Sequence, residues 1–219
     1  MEEIKTKAII INTKDFNEAD KIATIFTLEF GKVSAKFNGV KRAKAKLKPL
    51  VQPFTFVDLE CFKRGDFYTV KTGAVLDSFS KIMKDYSKMM CAYIVLDIIG
   101  QILPKNKVEQ DLFLLTINAL KNIETTDCHQ SLIEYIINFE KLLGEELNLF
   151  ETDKRVYLDK FVGNFTETPN ENTVEIDKKV FNALTKPTDN INIKKTCLKL
   201  LNTILKLKYD VELNSFSFI

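Results

Sequence analysis

The sequence lacks the residue patterns on which most enzymes depend. It has no tryptophan and a single histidine, His129. A lone histidine at the predicted start of a helix is more often a capping or surface residue than a general base or a ligand. No Gly-x-Gly-x-x-Gly fingerprint, phosphate-binding P-loop or Gly-x-Ser-x-Gly elbow is present. We therefore predict a protein that is not an enzyme, with no catalytic residues and no cofactor.

Cysteine is scarce and its spacing is uninformative. The four cysteines are Cys61, Cys91, Cys128 and Cys197, and no two of them form a Cys-x-x-Cys motif. The spacing gives no disulfide framework either. We interpret these residues as small, mostly buried thiols in a reducing compartment, and we predict no metal site.

Long hydrophobic runs are also missing. The most apolar run, Met89 to Leu103, is interrupted by Asp97 and Gly100. It is shorter than the roughly 20 residues that a membrane-spanning helix needs, so it predicts a buried helix. The first residues, Met-Glu-Glu-Ile-Lys, do not resemble a signal peptide. We expect a cytoplasmic protein that does not bind a membrane.

Charge is unevenly distributed along the chain. The net charge is +2, but residues 1–80 hold 14 Lys and Arg against 10 Asp and Glu, whereas the remainder holds 18 against 20. The first part is therefore the candidate for electrostatic binding.

A basic segment follows Phe30. Val33, Ala35 and Phe37 alternate with polar residues, which predicts a half-buried strand, and Asn38-Gly39 predicts the turn that ends it. Residues 32–48 contain seven cations and no carboxylate. Such a surface suits a polyanion, since it can track a phosphate backbone. The predicted nucleic-acid-binding residues are Lys32, Lys36, Lys41, Arg42, Lys44, Lys46 and Lys48.

Period-2 patterns indicate five strands in the first 80 residues. They are predicted near residues 5–13, 22–28, 32–38, 54–62 and 67–76, with Pro49 and Pro53 barring regular helix in the long connection. Five short strands and one long loop favour a small barrel of the OB type. We predict an OB-fold nucleic-acid-binding domain over residues 1–80.

Helical spacing begins beyond Ser80. It predicts helices over 83–103, 108–123, 127–147, 177–184 and 193–207, so residues 81–219 are expected to form an α-helical domain. Asp127 and Gln130 have the spacing of a capping box. Residues 151–176 resist assignment, and the tail from Tyr209 is expected to be extended. The predicted fold class is α+β.

Further contacts with nucleic acid are conceivable from the pattern. Phe56 and Phe62 are candidates for base stacking, although a phenylalanine in a small barrel more often fills the core or packs on a neighbouring domain. Lys195, Lys199 and Lys206 share one face of the last helix and form a secondary basic face, for which plain solvation is the simpler interpretation.

Several motifs resemble the bacterial recombination mediator family RecO. The resemblance is specific over residues 5–80, weaker to residue 147 and faint over residues 200–216. The motifs that carry it are Ala8 to Phe16, Glu18 to Ile22, Phe30-Gly31-Lys32-Val33, Asn38 to Arg42 and Gln52-Pro53-Phe54.

The resemblance implies a function that the pattern alone does not give. It implies binding of single- and double-stranded DNA, annealing of complementary strands, and help in loading RecA on DNA coated by single-strand-binding protein. The implied partners are RecR and the acidic C-terminal tail of single-strand-binding protein.

Two departures from the family stand out. Many family members carry a four-cysteine zinc site after the third helix, whereas residues 148–180 contain no cysteine. We therefore expect that segment to be held by packing around Phe161 and Phe165, or to be loose. Asn17 replaces a usual glycine, but asparagine tolerates the same backbone region.

Two alternative functions remain open from the sequence. One is a protein-interaction adaptor whose basic loop binds an acidic peptide and which binds little DNA of its own. The other is an RNA-binding OB protein.

Overall fold

Five strands close into a barrel in the first third of the chain. The computed structural model describes residues 2–218. The strands are β1 (Glu2–Phe16), β2 (Asp20–Thr27), β3 (Gly31–Phe37), β4 (Phe56–Arg64) and β5 (Phe67–Asp77), joined in the order β1-β2-β3-β5-β4. All contacts are antiparallel except β3 with β5. The predicted α+β fold with an OB-type barrel is confirmed.

Five helices follow the barrel. They are α1 (Tyr86–Ile102), α2 (Gln110–Thr125), α3 (Cys128–Leu142), α4 (Lys178–Ala183) and α5 (Ile191–Tyr209). Asp127 caps α3 by accepting the Gln130 backbone N–H at 2.9 Å, and Asp177 caps α4 in the same way. The predicted boundary after residue 80 lies between the end of β5 and the start of α1. No helix within residues 2–218 is both long enough and apolar enough to cross a membrane.

The run Ile9-Ile10-Ile11 shows how the two parts are joined. An irregularity in the β1–β2 pairing lies between Ile10 and Asn12. Ile10 packs inside the barrel with Val33, Ala35 and Phe37, while Ile9 and Ile11 belong to the core shared with the helices. A run of three apolar residues is therefore needed because this strand is buried on both sides.

Aromatic side chains complete the contact between barrel and helices. The Phe26 ring meets Phe113 of α2 edge to face, with centroids 5.5 Å apart, and Phe54 meets Tyr93 of α1 at 4.6 Å. Part of the outer barrel surface is thus buried beneath α1 and α2, and only the remainder is open to a ligand.

The segment that resisted assignment forms a small sheet. Its antiparallel strands are β6 (Val156–Asp159), β7 (Asn164–Thr166) and β8 (Thr173–Ile176), in the order β7-β6-β8. Phe165 is buried and meets Phe181 of α4 at 5.0 Å, as its predicted packing role requires. The prediction for Phe161 was wrong, because this side chain is 86% exposed at the β6–β7 turn.

The sheet has no cysteine ligands for the zinc site that the sequence resemblance implies for other family members. Residues 148–180 contain neither cysteine nor histidine. They do not fit a four-cysteine centre, and the contact of Phe165 with Phe181 supplies packing in its place.

Two helix ends differ from the prediction. α3 ends at Leu142, and Gly144 adopts a positive φ of 81°, so Leu143 and Leu147 lie beyond the helix. The tail is not extended. It forms a short 3₁₀ helix over Asn214–Phe218, with Leu213 and Phe216 buried in the core, while Ile219 lies outside the described residues.

Candidate nucleic-acid interface

The start of the basic loop is held by two carboxylates, one near the end of β1 and one at the start of β2. Asp20 accepts the Gly39 backbone N–H at 2.8 Å and lies 3.0 Å from Lys36 Nζ. Asp15 lies 3.0 Å from Lys41 Nζ, and the Lys41 backbone N–H donates to the Ala19 carbonyl. These contacts hold the start of the loop against the barrel.

The anchoring contacts are reflected in the pKa of both carboxyl groups. The Gly39 N–H, followed by Lys36, holds the pKa of Asp20 below its ordinary value. Lys41 lowers the pKa of Asp15 by hydrogen bonding and by charge. Both groups are therefore ionised at neutral pH, and Lys36 and Lys41 have partners in the folded protein.

The remaining loop cations have no acidic partner. Within the described part of the chain, no carboxylate lies within ion-pair distance of Arg42, Lys44, Lys46 or Lys48, and all four residues are exposed. Arg42, Lys44 and Lys46 lie in successive turns and bends of the loop, and Lys48 begins the short 3₁₀ helix Lys48–Val51. We call these four residues the free loop cations.

Next to the loop, the barrel presents an outer face that the helices do not cover. The strand registers define two rows of side chains across it. One row contains Lys14, Ile22, Lys36, Thr69 and Phe62, and the other contains Asn12, Thr24, Ser34, Phe67 and Arg64. We call these two rows the open barrel face. In OB folds, the face of the second and third strands is the usual surface for oligonucleotides.

Aromatic side chains border the open barrel face. Phe16 and Phe67 are 40% and 42% exposed, and Lys36 Nζ lies 5.3 Å from the centre of the Phe16 ring. Phe62, a predicted stacking candidate, is half-buried, and the centre of its ring lies 5.5 Å from Lys71 Nζ. Exposed rings between cations are the arrangement on which bases stack.

Lys32 is not part of the exposed surface, in contrast to the sequence-based expectation. It is 6% exposed, and its Nζ donates to the backbone carbonyls of Ile99, at 3.3 Å, and Gly100. Burial, with a smaller contribution from Lys105, lowers the pKa of Lys32. The residue points away from the barrel interior as predicted, but α1 covers that part of the face.

Phe56 follows the simpler of its two interpretations, packing on the neighbouring helices, and is not available for base stacking. It packs on the shared core, with its ring centre 6.1 Å from that of Phe113 in α2. A base cannot stack on this ring while the helices are docked. Its partner at the same register is Ile9, which is fully buried.

The secondary basic face does not extend the loop surface. α5 packs on α3 and α4. Lys199 is exposed and Lys195 half-buried, whereas Lys206 lies 2.6 Å from Glu212. One of its three cations is therefore already paired.

Sequence reasoning missed three residues of this surface. Lys14, Phe16 and Phe67 lie at strand ends, where alternation is too short to assign a face. The strand registers identify them, because they pair directly with residues of β2 and β3. Lys14 is exposed, and no carboxylate in the described residues pairs with it.

The barrel, its open face and the docked helices define an OB-fold protein of the α+β class. Residues 1–79 match the family described as Recombination protein O N terminal. The chain is thus similar to the RecO proteins, and the resemblance predicted from the sequence is confirmed.

Curated relatives support the same assignment. The chain is 29% identical over 143 residues to a protein of Caldanaerobacter subterraneus named DNA repair protein RecO, which covers 64% of this chain and 58% of the relative. It is 33% identical over 127 residues to the DNA repair protein RecO of Acetivibrio thermocellus, a match that covers 58% of this chain and 51% of the relative. It is 27% identical over 192 residues to the DNA repair protein RecO of Clostridium perfringens, a match that covers 83% of this chain and 78% of the relative. The matched region thus spans about half the length of several curated relatives.

Proposed function

We propose that this protein is a non-enzymatic DNA-binding mediator of recombination in DNA repair. The observation that carries the proposal is the set of free loop cations beside the open barrel face. Four cations without acidic partners can exchange condensed counterions for phosphate contacts. The relationship to proteins named DNA repair protein RecO supports DNA as the polyanion.

The binding surface combines two kinds of contact. Arg42, Lys44, Lys46 and Lys48 contact phosphates, while Phe16, Phe62 and Phe67 offer rings to unpaired bases. Phosphate contacts apply to double strands as well, whereas stacking requires a base that is free of its partner. The aromatic residues should therefore increase the affinity for single strands more than the affinity for duplexes.

The aromatic residues give a specific test of this surface. Replacing Phe16 and Phe67 together by Ala should weaken binding of a labelled single-stranded oligonucleotide, by about 1–3 kcal/mol for each base that loses its ring. Binding of duplex of equal length should change little. Fluorescence anisotropy measures both, and Phe161→Ala, another exposed ring, is the matched control.

The same variant distinguishes the alternative function, an adaptor that binds an acidic peptide. A peptide rich in carboxylates uses the free loop cations but has no bases to stack. If the Phe16→Ala/Phe67→Ala variant binds the peptide and the oligonucleotide with equally reduced affinity, or binds both with unchanged affinity, the DNA proposal loses its support. Competition between DNA and RNA of the same sequence separates the remaining alternative, an RNA-binding protein.

A large cavity does not supply a cationic site for such a peptide. Its volume is about 630 Å³, and it lies between β1, α1 and the C-terminal 3₁₀ helix. Asp97 is the charged residue among the described lining, and it accepts hydrogen bonds from Ser215 and Gln101. The half-buried Asp97 carboxylate repels acidic ligands, so acidic segments should bind at the loop.

The mediator role extends to strand annealing and to partner proteins. We include in the proposal annealing of complementary strands, loading of RecA on DNA coated by single-strand-binding protein, and contact with RecR and with the acidic C-terminal tail of single-strand-binding protein. A fluorescence-transfer annealing assay on coated strands tests this part. Annealing no faster with the protein than without it would contradict it.

A further inference from the structure

Two cysteines and the only histidine of the chain meet where α1 crosses the start of α3. Cys91 lies in α1, and Cys128 and His129 are the first two residues of α3. The two Sγ atoms and a His129 ring nitrogen all lie within 4.8 Å of one another. The chain brings together in three dimensions residues that are far apart in sequence.

The distances suit a small tetrahedral ion. Cys128 Sγ lies 3.5 Å from His129 Nδ1. In a tetrahedral zinc site with Zn–S of about 2.3 Å and Zn–N of about 2.0–2.1 Å, sulfur and nitrogen lie about 3.5 Å apart. The pair is therefore already spaced as two ligands of one ion, and Cys91 Sγ lies within 4.8 Å of Cys128 Sγ and of a His129 ring nitrogen.

The surroundings leave three protein ligands and one open position. Asp127 is adjacent, but its carboxylate accepts the Gln130 N–H at 2.9 Å and Lys194 Nζ at 2.7 Å. Cys91 is fully buried, whereas Cys128 is 8% exposed and His129 half-buried, so the cluster has a route to solvent. A water molecule can complete the coordination.

Charge balance also favours a divalent ion. Two thiolates with one divalent cation are neutral overall, which lowers the cost of burying the charges. Thiolate and imidazole together select zinc over magnesium or calcium, which prefer oxygen ligands. The same ligands also bind copper(I), so the two ions must be compared.

We propose that Cys91, Cys128 and His129 form a zinc site that joins α1 to α3. This site is separate from the proposed DNA-binding surface and from the 148–180 segment, where related proteins carry their cysteines. Because α1 and α3 pack against each other at this point, the ion would cross-link the two helices, with water in its fourth position.

Cobalt(II) and zinc titrations of the full-length protein under reducing conditions test the proposal. We expect one cobalt ion per chain, with thiolate-to-cobalt charge-transfer absorption and the visible bands of tetrahedral cobalt, both removed by added zinc. Zinc should also raise the melting temperature in a saturable way. Absence of the charge-transfer band, or tighter retention of copper(I) than of zinc at physiological concentrations, would overturn the proposal.

Variants locate the ion. Cys128→Ser and His129→Gln should each weaken cobalt binding at least about 10-fold. Cys61→Ser and Cys197→Ser, which alter the other two buried thiols, should leave it unchanged. His129 is half-buried, so its substitution tests the site even if a cysteine variant does not fold. Equal cobalt affinity in His129→Gln and wild type, or loss in Cys197→Ser alone, would refute the assignment.

Discussion

At the scale of single residues, the Phe30-Gly31-Lys32 motif belongs to the junction between barrel and helices. A side chain at Gly31 would lie 2.0 Å from the Lys107 carbonyl oxygen, and φ there is +69°. Lys32 then reaches the last turn of α1, where carbonyls have no helical partner. Gly31 and Lys32 are both required because the loop between α1 and α2 lies close against the start of β3.

Replacing Lys32 by Met should therefore change stability rather than DNA binding. The substitution leaves the Ile99 and Gly100 carbonyls without a charged donor, and we expect a loss of about 1–3 kcal/mol in the free energy of unfolding. Urea denaturation measures this loss. Lys7→Met, which removes an exposed cation from the same barrel, should leave stability unchanged. A weaker salt dependence of DNA binding in Lys32→Met, with unchanged stability, would contradict this interpretation.

At the scale of elements, the end of β1 and the start of β2 position the basic loop. Asp20 joins β2 to Gly39 and Lys36, and Asp15 joins β1 to Lys41. Two of the seven predicted cations therefore serve mainly to fix the loop, while the four that follow are left free. The sequence pattern showed where positive charge accumulates but not which cations already have partners.

Removing the Asp20 carboxylate should loosen the loop. In Asp20→Asn, we expect faster hydrogen exchange at the Gly39 amide, because its charged acceptor becomes a neutral amide. Asp66→Asn, in an exposed hairpin of the same barrel, is the matched control. Unchanged exchange at Gly39 would show that the carboxylate does not hold the loop.

The pH dependence of this contact follows from the direction of the pKa shift. The folded-state pKa of Asp20 is lowered, so its stabilising contribution is complete above the unfolded-state pKa of about 3.9. It is lost as the pH falls through the lower, folded-state pKa. Protection of the Gly39 amide should therefore persist at pH 5 and decline only in more acidic solution.

At the scale of the whole molecule, the barrel and the long helices were predictable, because periods of 2 and 3.6 persist over many residues in them. The sheet β7-β6-β8 could not be predicted, because its strands have only three or four residues and their apolar residues are isolated. Alternation also correctly placed Lys32 and Phe56 outside the barrel interior. It could not show that α1 and α2 cover those positions, because such coverage depends on contacts between distant parts of the chain.

The cysteine and histidine cluster was missed for the same reason. Sequence spacing detects ligands that are near neighbours, such as Cys-x-x-Cys. Cys91 and Cys128 come together only because α1 and α3 pack against each other. The prediction that the cysteines are mostly buried was nevertheless correct, since all four are buried.

The salt dependence of single-strand binding tests the central claim most directly. Arg42, Lys44, Lys46 and Lys48 are changed together to Ala, and a control variant loses four exposed lysines of the helical part, Lys84, Lys121, Lys160 and Lys179. The plot of log affinity against log salt concentration should flatten by about 0.7 for each phosphate that the variant no longer neutralises, up to about 2.8 for the loop variant. The control should keep the wild-type slope. Equal slopes in the wild type and a folded loop variant, or equal flattening in both variants, would contradict the account.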